Sequence, residues 1–228
     1  NEPGDMRIEF QILMPGYDYD LAHAGQGPSD GWMFFTSYNS EEEHTLLEIN
    51  ASRRDKDFVA AVNYRRAEQC IADGAGQTMA ASYAHNYMDE NHIAVTDMQT
   101  EVRVIEPTDC SDLVYFLPTP KSPHGVDVDP SGEYIAAGGK LATVIPVHSF
   151  SNMIAAIEAE DYEEVIDGIP VLTYESVIAG EVANAGLGPL HTEFDGNGYA
   201  YTTAFISSEI VKWEIGTWQV VDRIPVYY

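Results

Sequence analysis

Pro123-His124-Gly125-Val126-Asp127-Val128-Asp129-Pro130-Ser131-Gly132-Glu133-Tyr134 has a second version in Pro189-Leu190-His191-Thr192-Glu193-Phe194-Asp195-Gly196-Asn197-Gly198-Tyr199-Ala200-Tyr201. Each is a histidine, a short strand pattern, an Asp/Gly turn and an aromatic-containing strand pattern. The offset, 67 residues from His124 to His191, is long for a propeller blade of about 40–45 residues. A helical insertion within the repeat accounts for the excess. A radial repeat sets equivalent residues of successive units around one axis, so His124 and His191 are expected to point to the same place.

Outward from this repeat, β-rich runs broken by Gly, Pro and Asp dominate, among them Gly31–Tyr38, Leu113–Leu117 and Glu209–Glu214. Their spacing favours an all-β propeller or sandwich. Two stretches have helical periodicity: Tyr64 to Ala72, closed by Asp73-Gly74, and Asn152 to Glu160 after a Ser151 cap. Residues 74–108 are polar, lack a clear period and read as a long surface excursion. Cys70 and Cys110 form no CxxC motif; they read as a pair or as two buried thiols.

The 228 residues carry 11 Lys+Arg against 37 Asp+Glu, a formal net charge of −26. Such a surface repels phosphate backbones and anionic lipid, which argues against nucleic-acid and membrane partners. No apolar run of about 18 residues is present to cross a bilayer. Scarce Lys beside abundant carboxylates suggests a protein kept soluble in high salt, where screening quiets self-repulsion; an acidic secreted protein is the plainer alternative. Asn1 in place of Met, and an apolar C-terminal run Val220–Tyr228, lead us to expect a piece of a longer protein.

A lone histidine at the start of a strand is ordinarily a hydrogen-bonded core or turn residue. Two at equivalent positions of a repeat point instead to metal ligation, because imidazole suits copper, zinc, iron and nickel. Two imidazoles do not complete such a site. Neither a GxSxG elbow nor a phosphate-loop or dinucleotide fingerprint occurs in the sequence.

Ser122-Pro123-His124-Gly125, Asp129-Pro130-Ser131-Gly132, Gly139-Lys140-Leu141, Gly186-Leu187-Gly188-Pro189-Leu190-His191-Thr192, Phe194–Thr202 and Val211-Lys212-Trp213 together resemble nitrous oxide reductase. Tyr38-Asn39-Ser40-Glu41 is similar to an earlier motif of that family, and the likeness is weakest across 75–110. The resemblance implies that residues 1–228 are part of an N-terminal seven-bladed β-propeller with short helical insertions. Its axis would hold a tetranuclear copper–sulfide centre ligated by seven histidines, two of them His124 and His191, with the other five in flanking sequence. A C-terminal cupredoxin-like domain with a binuclear copper centre would be absent, and the fragment alone inactive. The implied reaction reduces nitrous oxide to dinitrogen and water, the last step of denitrification. A homodimer, a small cytochrome or cupredoxin as electron donor, and a periplasmic or other extracytoplasmic location come with it. No side chain is assigned as catalytic acid or base.

The resemblance also implies structural calcium at Tyr38, Glu41, Ile49, Asp57 and Ser122, with Asp55 competing for the place of Asp57. Ile49 stands where the family has Met, and Ser122 where it has Asn. The acidic run Glu41-Glu42-Glu43 offers the oxygen ligands that hard calcium prefers, and is otherwise a solvated turn. Lys140 reads as a snorkelling surface lysine that could favour a bound anionic oxygen. His23, His44, His85, His92 and His148 fit no ligand motif and read as surface or supporting residues. Two other classes remain open. One is a lactonase-like propeller hydrolase built on convergent carboxylates; the other is a non-catalytic surface propeller in which His124 and His191 are dispensable.

Overall fold

The computed structural model describes residues 7–14, 18–38 and 57–226. Strands in several sheets make up most of it, with few helices, and the chain divides into two units. One unit comprises residues 1–14 and 65–113. Within it, β1 (Phe10–Ile12) pairs in parallel with β6 (Ala94–Ile105), which pairs antiparallel with β5 (Gln77–Met88). The expected surface excursion is therefore a long hairpin. Its period is two, with Tyr83, His85, Tyr87, Val95, Asp97 and Gln99 half-buried and the residues between them exposed. The Gln99 amide donates to the Ile8 carbonyl at 2.7 Å and accepts from the Ile8 N–H at 3.2 Å, and Gln11 donates to the Tyr83 hydroxyl.

Helix α1 (Tyr64–Ala72) has the bounds its periodicity gives, and Gly74 beyond it takes the positive φ of +96° that a glycine tolerates at a helix end. Its buried Cys70 forms a disulfide with Cys110, settling the choice between a pair and two thiols. Closing a loop across 40 residues of separation is worth about 4 kcal/mol on chain-entropy grounds.

The second unit, residues 15–64 and 114–228, holds three sheets. In the first, β2 (Asp18–Ala24), β3 (Trp32–Tyr38), β4 (Phe58–Asn63) and β7 (Val114–Pro118) run antiparallel. The second is β8 (Pro123–Val128), β9 (Tyr134–Gly139), β10 (Ile145–Ser149) and β13 (Ile178–Val182). The third is β14 (Pro189–Phe194), β15 (Tyr199–Ala204), β16 (Glu209–Glu214) and β17 (Gln219–Pro225). The sequence repeat is thus the first hairpin of two successive four-stranded sheets. Its turns use the same device: Asp129 Oδ1 accepts from the amides of Glu133 and Tyr134, and Asp195 Oδ1 from those of Asn197 and Tyr199.

The excess length of the repeat lies between β10 and β13, where α2 (Phe150–Glu158), the hairpin β11 (Tyr162–Ile166) to β12 (Ile169–Leu172) and the short α3 (Tyr174–Val177) intervene. Asp167-Gly168, both at positive φ, make the tight turn of that hairpin, and β12 extends the first sheet by pairing in parallel with β7. The insertion expected at Asn152–Glu160 thus begins two residues earlier. Its cap is Ser149, whose hydroxyl accepts from the Asn152 amide at 3.1 Å; Ser151 sits inside the helix and donates to Glu133.

Two apolar layers stack the sheets. Trp32, Phe34, Val59, Ala61 and Leu117 of the first sheet pack on Val126, Val128, Ile135 and Ala137 of the second, with Phe150 and Met153 of α2. Ala136, Ile145, Val147 and Val182 pack in turn against Ala200 and Trp213 of the third. Ile135 and Ala137 serve one layer and Ala136 the other, as the alternation of a strand buried on both faces requires. The Trp213 indole N–H is satisfied by Thr202, whose hydroxyl also bonds Thr192.

His148 on β10 departs from the surface or supporting role expected of it. Its ring is fully buried, edge-on to Tyr174 at 6.3 Å, and among the described residues neither nitrogen has a hydrogen-bond partner. Burial disfavours the imidazolium and pushes its pKa down from 6.5 to about 4. Between those values the unfolded chain binds the proton and the folded chain does not, so stability falls as pH drops through that window, by about 3 kcal/mol in all. Denaturant melts from pH 7 to pH 4 should show this loss in the wild type and a flatter acid limb in His148→Phe. Superimposable acid limbs would refute the assignment.

Candidate metal centre

Strand β8 lies between β2 and β14 and contacts both, so the first strands of the three sheets adjoin. The contact with β14 depends on glycine. A Cβ on Gly125 would stand 2.1 Å from the Leu190 carbonyl oxygen, and one on Gly138 of β9 equally close to the same atom. With hydrogen in those places, the backbone leading into His191 settles against the backbone that follows His124. The two rings meet at 5.4 Å between centroids, inclined by 72°. The repeat brings its two histidines together, as the radial argument expects.

Each ring has a carboxylate beside it from the first strand of the preceding sheet. His124 Nδ1–H donates to Asp20 Oδ2 of β2 at 2.6 Å, and His191 Nδ1 lies 3.5 Å from Asp127 Oδ1 of β8. The Thr192 amide donates to the other oxygen of Asp127 at 2.6 Å. The backbone of His124 is fixed separately: its carbonyl accepts from the buried Thr36 hydroxyl at 2.6 Å. A carboxylate accepts and does not donate, so the His124 ring carries its proton on Nδ1 and keeps the Nε2 lone pair available, while Asp127 stands within ion-pair range of the corresponding nitrogen of His191. That is the arrangement of metal-bound imidazole, with one nitrogen oriented by a carboxylate and the other directed to the metal. The His124 ring is 25% exposed and that of His191 48%, so the second is the more open of the two.

Desolvation raises the pKa of Asp127, opposed by the Thr192 N–H and by His191 and His23. Lys140 is not the snorkelling surface lysine expected of it. It is 6% exposed, and its Nζ is 3.6 Å from the Asp20 oxygen that accepts from His124. Its own amide donates to the Ser122 carbonyl at 2.8 Å, tying Gly138-Gly139-Lys140 to the stretch before His124. Of the other histidines, His23 is on β2 with Nδ1 against its neighbour's carbonyl, His85 bonds Gln99, and His92 occupies a turn at positive φ. His44 lies outside the described residues.

Among the described residues no group of three or more His, Cys, Asp or Glu side chains is arranged to hold a metal ion unaided. The positions expected for calcium are only partly within view. Glu41, Ile49 and Asp55 lie outside the described residues, and Tyr38 ends β3. Asp57 is buried immediately before β4, one position beyond the Ser37–Phe58 pair. Ser122 is fully buried at a φ of +54°, and among the described residues its hydroxyl has no hydrogen-bond partner. An orphaned oxygen of this kind fits a hard cation.

Asp20 escaped the sequence reading of the centre because it comes to His124 from 104 residues before; Lys140, 16 residues after, was singled out, but neither its burial nor its pairing with Asp20 was readable. Asp127 stood inside the repeat, three residues after His124, without a motif to mark it.

No protein-family model matches the chain. It is 31% identical over 212 residues to a nitrous-oxide reductase of Pseudomonas fluorescens, 92% of this chain and 28% of that protein. To those of Ralstonia nicotianae and Stutzerimonas stutzeri it is 30% and 29% identical, over 98% and 92% of this chain. The chain spans about 30% of the length of these relatives. Among solved structures, hydrazine synthase of Kuenenia stuttgartiensis overlaps 89% of this chain and 60% of its own at a TM-score of 0.39 and 12% identity. A candidate 6-phosphogluconolactonase of Bacteroides uniformis overlaps 92% of this chain and 68% of its own at 0.32, also at 12% identity. Overlaps this loose carry no argument. Among the described residues no helix is long and apolar enough to cross a membrane.

Gly125→Ala should destabilise the second unit by about 2–3 kcal/mol in urea denaturation, because its methyl group displaces the Leu190 carbonyl. Wild-type stability in this variant would show that the strands can part without cost.

Proposed function

We propose that this chain is part of the propeller of a nitrous oxide reductase and that His124 and His191 are two of the imidazoles that hold its copper–sulfide centre. The observation that supports this most is the meeting of the two repeat histidines, each with a carboxylate at Nδ1. The relatives' names support the reaction, and the three stacked sheets with adjoining first strands suit a segment of a larger seven-bladed ring.

When bound, the copper–sulfide centre would supply two electrons to nitrous oxide, which with two protons gives dinitrogen and water. The residues of this chain bind and orient. Asp20 fixes the tautomer of His124, Asp127 stands beside Nδ1 of His191, Thr36 holds the backbone of His124, and Gly125 and Gly138 set the distance between the strands. Asp20, Asp127 and Lys140 place charge around the rings without serving as ligands. The remaining ligands, the binuclear copper centre of a cupredoxin-like domain, a homodimeric partner and a small electron-donor protein would come from outside this segment. A periplasmic or other extracytoplasmic setting agrees with the disulfide.

The lactonase-like alternative requires converging carboxylates, whereas Asp20 and Asp127 are each directed at a histidine. In the intact parent protein, His191→Ala should lower copper bound per chain and abolish nitrous oxide reduction with an artificial electron donor. Full copper content and full activity in that variant would exclude the ligand role.

For calcium, we propose that Asp57 and Ser122 contribute oxygen ligands beside Tyr38, Glu41 and the Ile49 carbonyl. Isothermal titration with calcium should give a site weakened at least about tenfold in Asp57→Asn. Identical titrations of variant and wild type, or none in either, would dismiss it.

A further inference from the structure

We propose that Lys140 is a positioning residue for His124, acting through Asp20; the inference rests on the reading of His124 as a copper ligand. The ammonium of Lys140 is almost fully buried, and an ion in that state is costly without a counter-charge. Asp20 supplies one at 3.6 Å, through the oxygen that takes the Nδ1 proton of His124 at 2.6 Å. One carboxylate oxygen therefore joins an ammonium to an imidazole.

The consequence is a fixed tautomer. The ammonium anchors the Asp20 carboxylate, and the oxygen it faces is the one that accepts from the ring, so the proton is kept on Nδ1 and Nε2 keeps its lone pair. Without the ammonium the carboxylate loses that anchor and is free to turn away, which leaves Nδ1 of His124 without its fixed acceptor. His191 differs. The Thr192 amide donates to one oxygen of Asp127 at 2.6 Å, while His191 Nδ1 stands 3.5 Å from the other. The two imidazoles are thus held unequally, His124 by a lysine-backed carboxylate and His191 by a looser one. Lys140 reaches Asp20 because Gly139 lets its strand lie against the preceding loop; a Cβ there would meet the Lys121 carbonyl at 2.6 Å.

The test needs no metal. In the full chain, metal-free and labelled with ¹⁵N-histidine, the ring nitrogens of His124 should report the Nδ1–H tautomer alone at neutral pH. Lys140→Met should raise the Nε2–H tautomer of His124 severalfold, Lys140→Arg should restore the wild-type pattern, and His191 should be unchanged in both. Should Lys140→Met fail to fold, Lys140→Gln, which keeps a polar head without charge, carries the same expectation. A His124 spectrum identical to wild type in a folded, charge-less variant would overturn the proposal. Copper analysis of the wild-type parent is a separate measurement, and failure there would remove the ligand reading without touching the tautomer result.

Discussion

The Leu190 carbonyl packs where two side chains would otherwise stand. Gly125 and Gly138 leave that space, and through it β14 comes close enough to β8 for two rings 67 residues apart in sequence to meet. Any side chain at either glycine would force a backbone shift, because the obstructing atom is main chain and cannot rotate away. The glycine of the Pro-His-Gly stretch is thus a spacing device. The chemistry of the candidate centre depends on it before any question of ligand or charge arises.

Around that contact the three sheets repeat one scheme. A first strand carries a histidine or its carboxylate partner, and the carboxylate reaches forward to the histidine of the next sheet: Asp20 to His124, then Asp127 to His191. Adjacent sheets are therefore coupled twice, by apolar layers through their faces and by these polar pairs at their first strands. The polar pairs orient the His124 ring and place a carboxylate beside that of His191, while the apolar layers supply the stability that lets a carboxylate be partly desolvated there.

Much of this was legible in the sequence, and the reasons differ by element. The Asp/Gly turns of the repeat, the helix at Tyr64–Ala72 and the strand at Glu209–Glu214 carry local signals, namely side-chain-to-backbone hydrogen bonds and periodicity. The histidine pair was legible because repetition turns a local pattern into a spatial one. The hairpin β5–β6 was not, since Tyr83, His85 and Tyr87 are its half-buried positions while Ala84 and Met88 are exposed, so no apolar stripe marks a buried face. The partnership of Asp20 with Lys140 was hidden for another reason: it exists only once β2 is assembled against the β8–β9 hairpin from distant sequence. His148 is a buried polar group in a fully buried strand, and nothing local marks it.

The central claim is that His124 and His191 face one copper centre. Crystals of the copper-loaded parent protein, measured with anomalous scattering at the copper edge, test it most directly. The account predicts an anomalous peak within bonding distance of Nε2 of both rings, with Asp20 and Asp127 still at their Nδ1 atoms. Copper bound elsewhere, with these two rings directed to solvent or protein, would contradict it.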